Sequence, residues 1–92
     1  MLDDIKRHNQ FKRDYKLMKK QNRNISLLKA LIVDLFNENP LPPNYKDHNL
    51  IGNYVGYREC HVAGAGDWLL IYKIKDRTLV LARTGTHSEL FD

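Results

Sequence analysis

The run Asp67-Trp68-Leu69-Leu70-Ile71-Tyr72-Lys73-Ile74 restricts this chain more than any other stretch. It is nearly continuously apolar, too short for an ordinary helix, and shows no alternation. Such a run reads as a strand at the centre of a sheet, buried on both faces. In a chain of 92 residues the material that covers it has to come from the same small domain.

That cover lies upstream. Ile25, Leu28, Leu31, Ile32, Leu35 and Phe36 recur at helical spacing and give a broad apolar face suited to packing on a sheet. Asn24 caps this helix, which runs to about Glu38 and is stopped by Pro40, Pro42 and Pro43. An earlier helix, from Asn9 as its cap to about Gln21, carries a narrower stripe of Phe11, Tyr15 and Met18, with Leu17 beside it. Met1 to His8 alternates poorly and fits a short edge strand through Leu2 and Ile5.

Past the prolines the period changes. Asn53 to Val62 reads as a strand, with Val55, Tyr57, Glu59 and His61 on one side and Tyr54, Arg58 and Cys60 on the other. Ala63-Gly64-Ala65-Gly66 is a hairpin connection, Asp76-Arg77 a tight turn, and Thr78 to Thr84 a strand antiparallel to its neighbour. Ser88 to Phe91 is expected to be a terminal turn. The order predicts one α+β domain over residues 1–92, with a short N-terminal strand and two helices packed on an antiparallel sheet.

Charge points to an anionic partner. The net charge is +4, and nine of fifteen basic residues fall between Lys6 and Lys29, where Asp14 alone opposes them. Lys12, Arg13, Lys16, Lys19 and Lys20 on the first helix are the candidate phosphate contacts. No apolar run is long enough to cross a membrane and no secretion signal is visible, so a cytoplasmic location is expected. The lone Cys60 cannot form an internal disulfide and reads as a small buried hydrophobe.

His48, His61, Asp67, Arg83 and His87 all fall at strand ends or turns of the C-terminal half, where a meander can bring them together, with Asp67 close to His61 and to Arg83. Cleavage of an RNA backbone needs these groups. A base takes the ribose 2′-hydroxyl proton, a cation stabilises the charge on five-coordinate phosphorus, and an acid protonates the leaving 5′-oxygen. Histidine suits both proton roles and arginine the charge role, so no metal or cofactor is called for. A zinc site from His48, Cys60, His61 and His87 is disfavoured, because Cys60 and His61 are adjacent in a strand and point oppositely. Gly64-Ala65-Gly66 lacks the third glycine of a dinucleotide loop and leads into a strand. A helix-turn-helix reading fails because the second helix has no basic recognition face. Trp68 is expected in the core; Phe91 is suited either to packing or to stacking on a base.

Tyr45-Lys46-Asp47-His48-Asn49-Leu50, Gly56-Tyr57-Arg58-Glu59-Cys60-His61-Val62, Asp67 to Lys73, and Arg83-Thr84-Gly85-Thr86-His87-Ser88-Glu89-Leu90-Phe91 occur in that order. Together they resemble the YafQ branch of the RelE/ParE toxin superfamily, over essentially the whole chain. The resemblance implies a RelE-like fold and a type II toxin that cleaves mRNA, typically in the ribosomal A site. It implies neutralisation by an antitoxin of the DinJ or RelB type, and operator DNA bound only through that complex. By motif match, His48, His61, Asp67 and His87 would form the acid–base group, with His87 as general acid and the base left open among His48, Asp67 and His61. Arg83 would bind the scissile phosphate, and Phe91 would position the base. The Ala63-Gly64-Ala65-Gly66 connection is longer than is usual in this branch. The competing reading is a ParE-like member that poisons gyrase by binding, which calls for no histidine set.

Overall fold

A computed structural model describes residues 1–91. Its elements are β1 (Asp4–Arg7), α1 (Asn9–Lys20), α2 (Ile25–Phe36), β2 (His48–Asn49), β3 (Arg58–His61), β4 (Leu69–Lys75), β5 (Thr78–Gly85) and α3 (His87–Phe91). The five strands form one sheet in the order β1-β5-β4-β3-β2. This is the expected α+β class, with one refinement. β1 is an edge strand, but it pairs with β5 in parallel, through the crossover formed by the rest of the chain. The other pairings are antiparallel.

α1 and α2 cover one face of the sheet. Phe11, Met18, Leu28, Leu31 and Leu35 meet Cys60, Val62, Trp68, Leu70, Tyr72, Leu79 and Leu81 in the main core. Trp68 is fully buried there, and its indole N–H donates to Thr84 Oγ1 at 2.8 Å. Val33 and Leu17 point outward, so the apolar faces of the two helices are narrower than the composition suggests. On the opposite face a small second cluster, Leu69, Ile71, Ala82 and Leu90, is partly covered by Leu50, Tyr54 and Tyr57. The central strand is therefore buried on both faces only over Leu69–Tyr72; at its far end Ile74 is 47 % exposed.

The expected strand from Asn53 to Val62 is mostly something else. Gly52–Tyr54 is a 3-10 turn, and the strand proper starts at Arg58. Gly52 and Gly56 both have positive φ, +70° and +91°, which glycine adopts without a Cβ clash. These two bends fold the segment over the sheet instead of along it, and Val55 is left 73 % exposed. The helix caps also differ from expectation. His8 precedes the first turn of α1, and neither it nor Asn24 makes a side-chain cap bond; Asn24 instead accepts from Ser26 Oγ.

Candidate functional site

One irregularity sets the site. Ile71 of β4 faces Arg83, but the next residue, Tyr72, faces Leu81, so Ala82 is left without a partner. This β-bulge adds one residue to β5 and resets its alternation. Leu79 and Leu81 point into the helix-side core, Ala82 points to the open face, and strict alternation would return Arg83 to the core. The bulge keeps Arg83 on the open face and turns Thr84 inward to meet Trp68.

Arg83 is held there by Asp14. Its Nε donates to Asp14 Oδ2 at 2.7 Å and its Nη2 to Asp14 Oδ1 at 3.2 Å, while Nη1 lies 3.4 Å from the Tyr54 hydroxyl. Asp14 also accepts from the Thr84 backbone N–H and from Gln10. It is the single acid in the basic N-terminal stretch, and it is buried. The Asp14 carboxylate keeps the Arg83 guanidinium above its already high pKa, so the cation is permanent. One edge of the guanidinium is fixed by α1, and Nη1 is turned toward the aromatic side of the cleft.

His87 opens α3. Thr86 and Glu89 form a capping box: the Glu89 N–H donates to Thr86 Oγ1, and Glu89 Oε1 accepts from the Thr86 N–H at 2.8 Å. This Thr-x-x-Glu signature, visible in the sequence as Thr86-His87-Ser88-Glu89, marks a helix where a terminal turn was expected. The Thr86 backbone bond holds the Glu89 carboxyl below its usual range, and Gln21, just past α1, ties its other oxygen.

Asp67 was expected beside Arg83 and His61. Because Leu69 pairs with Gly85, the residue two positions earlier comes opposite His87 instead. Asp67 Oδ1 accepts from His87 Nδ1 at 2.7 Å and from the His87 backbone N–H at 3.1 Å. Those two bonds hold the Asp67 carboxyl below the usual range. A proton on Nδ1 fixes the tautomer and leaves Nε2 as the reacting nitrogen. The long Ala63–Gly66 connection does not prevent this contact. Gly64 and Gly66 bend it with positive φ, and the Val62 N–H closes it on the Trp68 carbonyl at 2.8 Å.

His61, at the end of β3, places its ring 6.0 Å from that of His87. Phe91 follows His87 one helical turn on, with rings 6.4 Å apart, and meets Tyr54 edge-on at 5.8 Å. His61, His87, Phe91, Tyr54 and Arg83 thus form one continuous rim, with Asp67 behind His87. Phe91 remains 45 % exposed, open to a stacking partner.

His48 stands one step away. It pairs with Glu59 across β2 and β3, which makes His61 its diagonal neighbour at about 7–8 Å. Its Nδ1 donates to the Lys46 carbonyl at 2.6 Å, and its Nε2 lies 3.7 Å from the buried Glu59 carboxylate. β2 is held by Asp47, which accepts from Arg58 through both oxygens and from the Tyr72 hydroxyl at 2.8 Å. Burial, then Asp47, raises the Tyr72 pKa, and Asp47 raises that of Arg58.

The α1 cations divide by helical spacing. Arg13 lies on the flank of Gln10, to which its Nη2 donates at 2.7 Å, next to the site. Lys12 and Lys19 share the opposite flank, where Lys19 lies over the Tyr15 ring, and Lys16 and Lys20 lie on the outer face between. Three site residues were not anticipated: Asp14, Tyr54 and Glu59. Asp14 had a signal, since an acid between Phe11 and Met18 on an apolar stripe implies a buried partner.

Comparison with known proteins places the chain in a family. Residues 3–92 match the family model described as "Bacterial toxin of type II toxin-antitoxin system, YafQ". The chain is 46% identical over 89 residues to the mRNA interferase toxin YafQ of Escherichia coli K12, covering 96% of this chain and 95% of that one. It superposes on the crystal structure of YafQ from E. coli BL21(DE3) with a TM-score of 0.89 at 43% identity, each chain fully covered. The toxin in the crystal structure of the E. coli DinJ–YafQ complex gives 0.88 at 44%, again with full coverage.

Proposed function

We propose, because the chain belongs to the YafQ family of bacterial toxins of type II toxin–antitoxin systems, that it is an endoribonuclease that cuts mRNA in the ribosomal A site. The observation that carries this reading is the pair of histidines 6.0 Å apart on a rim that ends in a fixed arginine. That separation lets both rings reach oxygens of one phosphate lying across the rim. The E. coli relative is named an mRNA interferase, and an E. coli relative is seen with DinJ; an antitoxin of that type is the partner proposed for this chain.

His87 Nε2 is the general acid that protonates the leaving 5′-oxygen. Asp67 orients it; already engaged by two hydrogen bonds, Asp67 is poorly placed to act as the base. That role falls to His61, which faces His87; His48 stands behind it, tied to the Lys46 carbonyl and facing Glu59. Arg83 Nη1 meets the phosphoryl oxygens as negative charge grows on them. Phe91 stacks on the base next to the scissile bond. The 2′-oxygen attacks phosphorus, the bond to the 5′-oxygen breaks, and the products are a 2′,3′-cyclic phosphate and a free 5′-hydroxyl. The proton that leaves the 2′-hydroxyl ends on His61 and the one on His87 ends on the 5′-oxygen. These groups suffice without a metal. Arg13 on the near flank of α1 binds a phosphate beside the cleft, and Lys12, Lys16, Lys19 and Lys20 face ribosomal RNA.

The test is the chemistry of the ends. RNA cut on ribosomes should carry 2′,3′-cyclic phosphate and 5′-hydroxyl termini. Products with 5′-phosphate ends would refute the mechanism.

A further inference from the structure

We propose that the open face of the sheet beyond Arg83 is a second contact surface for single-stranded RNA. It is made by Lys6, Lys73 and Lys75 with the rings of His8 and Tyr57, and it holds the strand on one side of the cleavage point. This deepens the nuclease reading and rests on it for the identity of the ligand.

The strand register places the three lysines together. Lys6 of β1 and Lys73 of β4 both pair with Val80 of β5, so they flank it in one row. Tyr72, Leu79 and Leu81, the neighbours of that row along β4 and β5, point into the helix-side core. The row therefore lies on the opposite face, the one that carries Arg83 and His61. Lys75, opposite Thr78, stands in the next row. All three lysines and His8 line one shallow hollow. Asp76 is the one acid in its lining, at the turn, and Val80 its one aliphatic residue. Among the described residues none of the three lysines is in an ion pair.

An unbroken line of rings joins this hollow to the cleavage rim. Lys73 Nζ sits 4.7 Å over the Tyr57 ring. Tyr57 meets His8 edge-on at 6.3 Å and Tyr54 at 6.3 Å. Tyr54 leads to Phe91, Phe91 to His87 and His87 to His61, in steps of 5.8, 6.4 and 6.0 Å. Cations at one end of a row of aromatic rings are what a single strand needs: charge for its backbone and flat faces for its unpaired bases. A docked protein would call for an apolar centre, which this hollow lacks.

The probe is a 5′-fluorescein single-stranded RNA of about 12 nucleotides, within the span that such surfaces hold. It is 2′-O-methylated throughout, so it has no attacking hydroxyl and is bound without being cut. Its anisotropy is followed from about 50 to about 200 mM salt with the parent chain and with a Lys6→Ala/Lys73→Ala/Lys75→Ala variant. The variant's melting temperature is compared with the parent's, and single-lysine variants serve if the triple change unfolds the chain. The surface predicts at least about tenfold weaker binding at the lowest salt. It also predicts a salt slope shallower by about 2 for the triple variant, or about 0.7 for each lysine removed singly. Equal affinity and slope in parent and variants overturn the proposal. So does a variant that keeps RNA affinity but loses its antitoxin, because the surface would then be a protein contact. A parent that binds the probe through these lysines but cuts no RNA would leave the surface standing and defeat the nuclease reading instead.

Discussion

Asp14 shows how much one residue can decide. It is a buried carboxylate whose oxygens are shared among Arg83, the Thr84 N–H and Gln10. Replacing it by Ala leaves a partly buried guanidinium and a buried N–H without their partner, at a cost of about 3 kcal/mol, the low end for a broken buried pair. Urea unfolding of Asp14→Ala should show that loss, and the Arg83→Ala/Asp14→Ala double variant should lose less than the sum of the two singles. Cys60 gives a second check at this scale. Burial pushes its thiol up to about 12 from a usual 9.0. Iodoacetamide at mildly alkaline pH should leave the folded chain unmodified and label it in denaturant. Between pH 9 and about 12 the unfolded chain releases this proton while the folded chain keeps it, so stability falls as pH rises through that window. Asp67 behaves in the opposite sense. Its carboxyl is lowered from 3.8 by His87, so the contact is present above that value and is lost as pH falls below it. The Asp67 carboxyl signal in an NMR titration should therefore move at lower pH than that of an ordinary aspartate. In His87→Ala it should return toward the ordinary range.

At the scale of elements, α3 matters more than its five residues suggest. It carries both His87 and Phe91, and its placement depends on Gly85. A Cβ at Gly85 would lie 3.0 Å from Glu89 Oε1 and 3.4 Å from the Leu90 side chain. Gly85→Ala should therefore push Glu89 off the Thr86 N–H and tilt α3, at about 1 kcal/mol in stability. RNA cleavage should drop by more than stability does, on the order of tenfold, because His87 moves with the helix. Normal cleavage in Gly85→Ala would show that α3 is not held this way. The elements also show what a sequence can and cannot reveal. α1, α2, the central strand and β5 were legible because each carries a long period or an apolar run that local sequence contains. β3 was drawn too long because Tyr54, Val55 and Tyr57 alternate like a strand, while Gly52 and Gly56 bend the backbone away. The bulge at Ala82 had no local signal, since only pairing with β4 creates it. The capping box at Thr86 and Glu89 did have one, and it marked the helix that the short C-terminal segment forms.

For the whole molecule, the sheet separates structure from chemistry. The helix side holds the main core, and the open side holds Arg83, His61, His48 and the lysine hollow. The candidate residues were legible as a set because their types match one reaction. Their pairing was not: Asp67 joins His87 rather than Arg83, and Arg83 takes its partner from a helix 69 residues away. A site divided in this way predicts that changes on the rim alter activity with little effect on folding. His87→Ala should lower cleavage by about 10²–10⁴-fold while keeping the fold and the antitoxin complex. The most direct measurement is primer extension on cellular mRNA after brief induction of the parent and of His87→Ala. Discrete new 5′ ends at in-frame codon positions with the parent, and none with His87→Ala, are the predicted result. Equal cutting by both chains, or growth arrest with intact mRNA in the parent, would contradict the account.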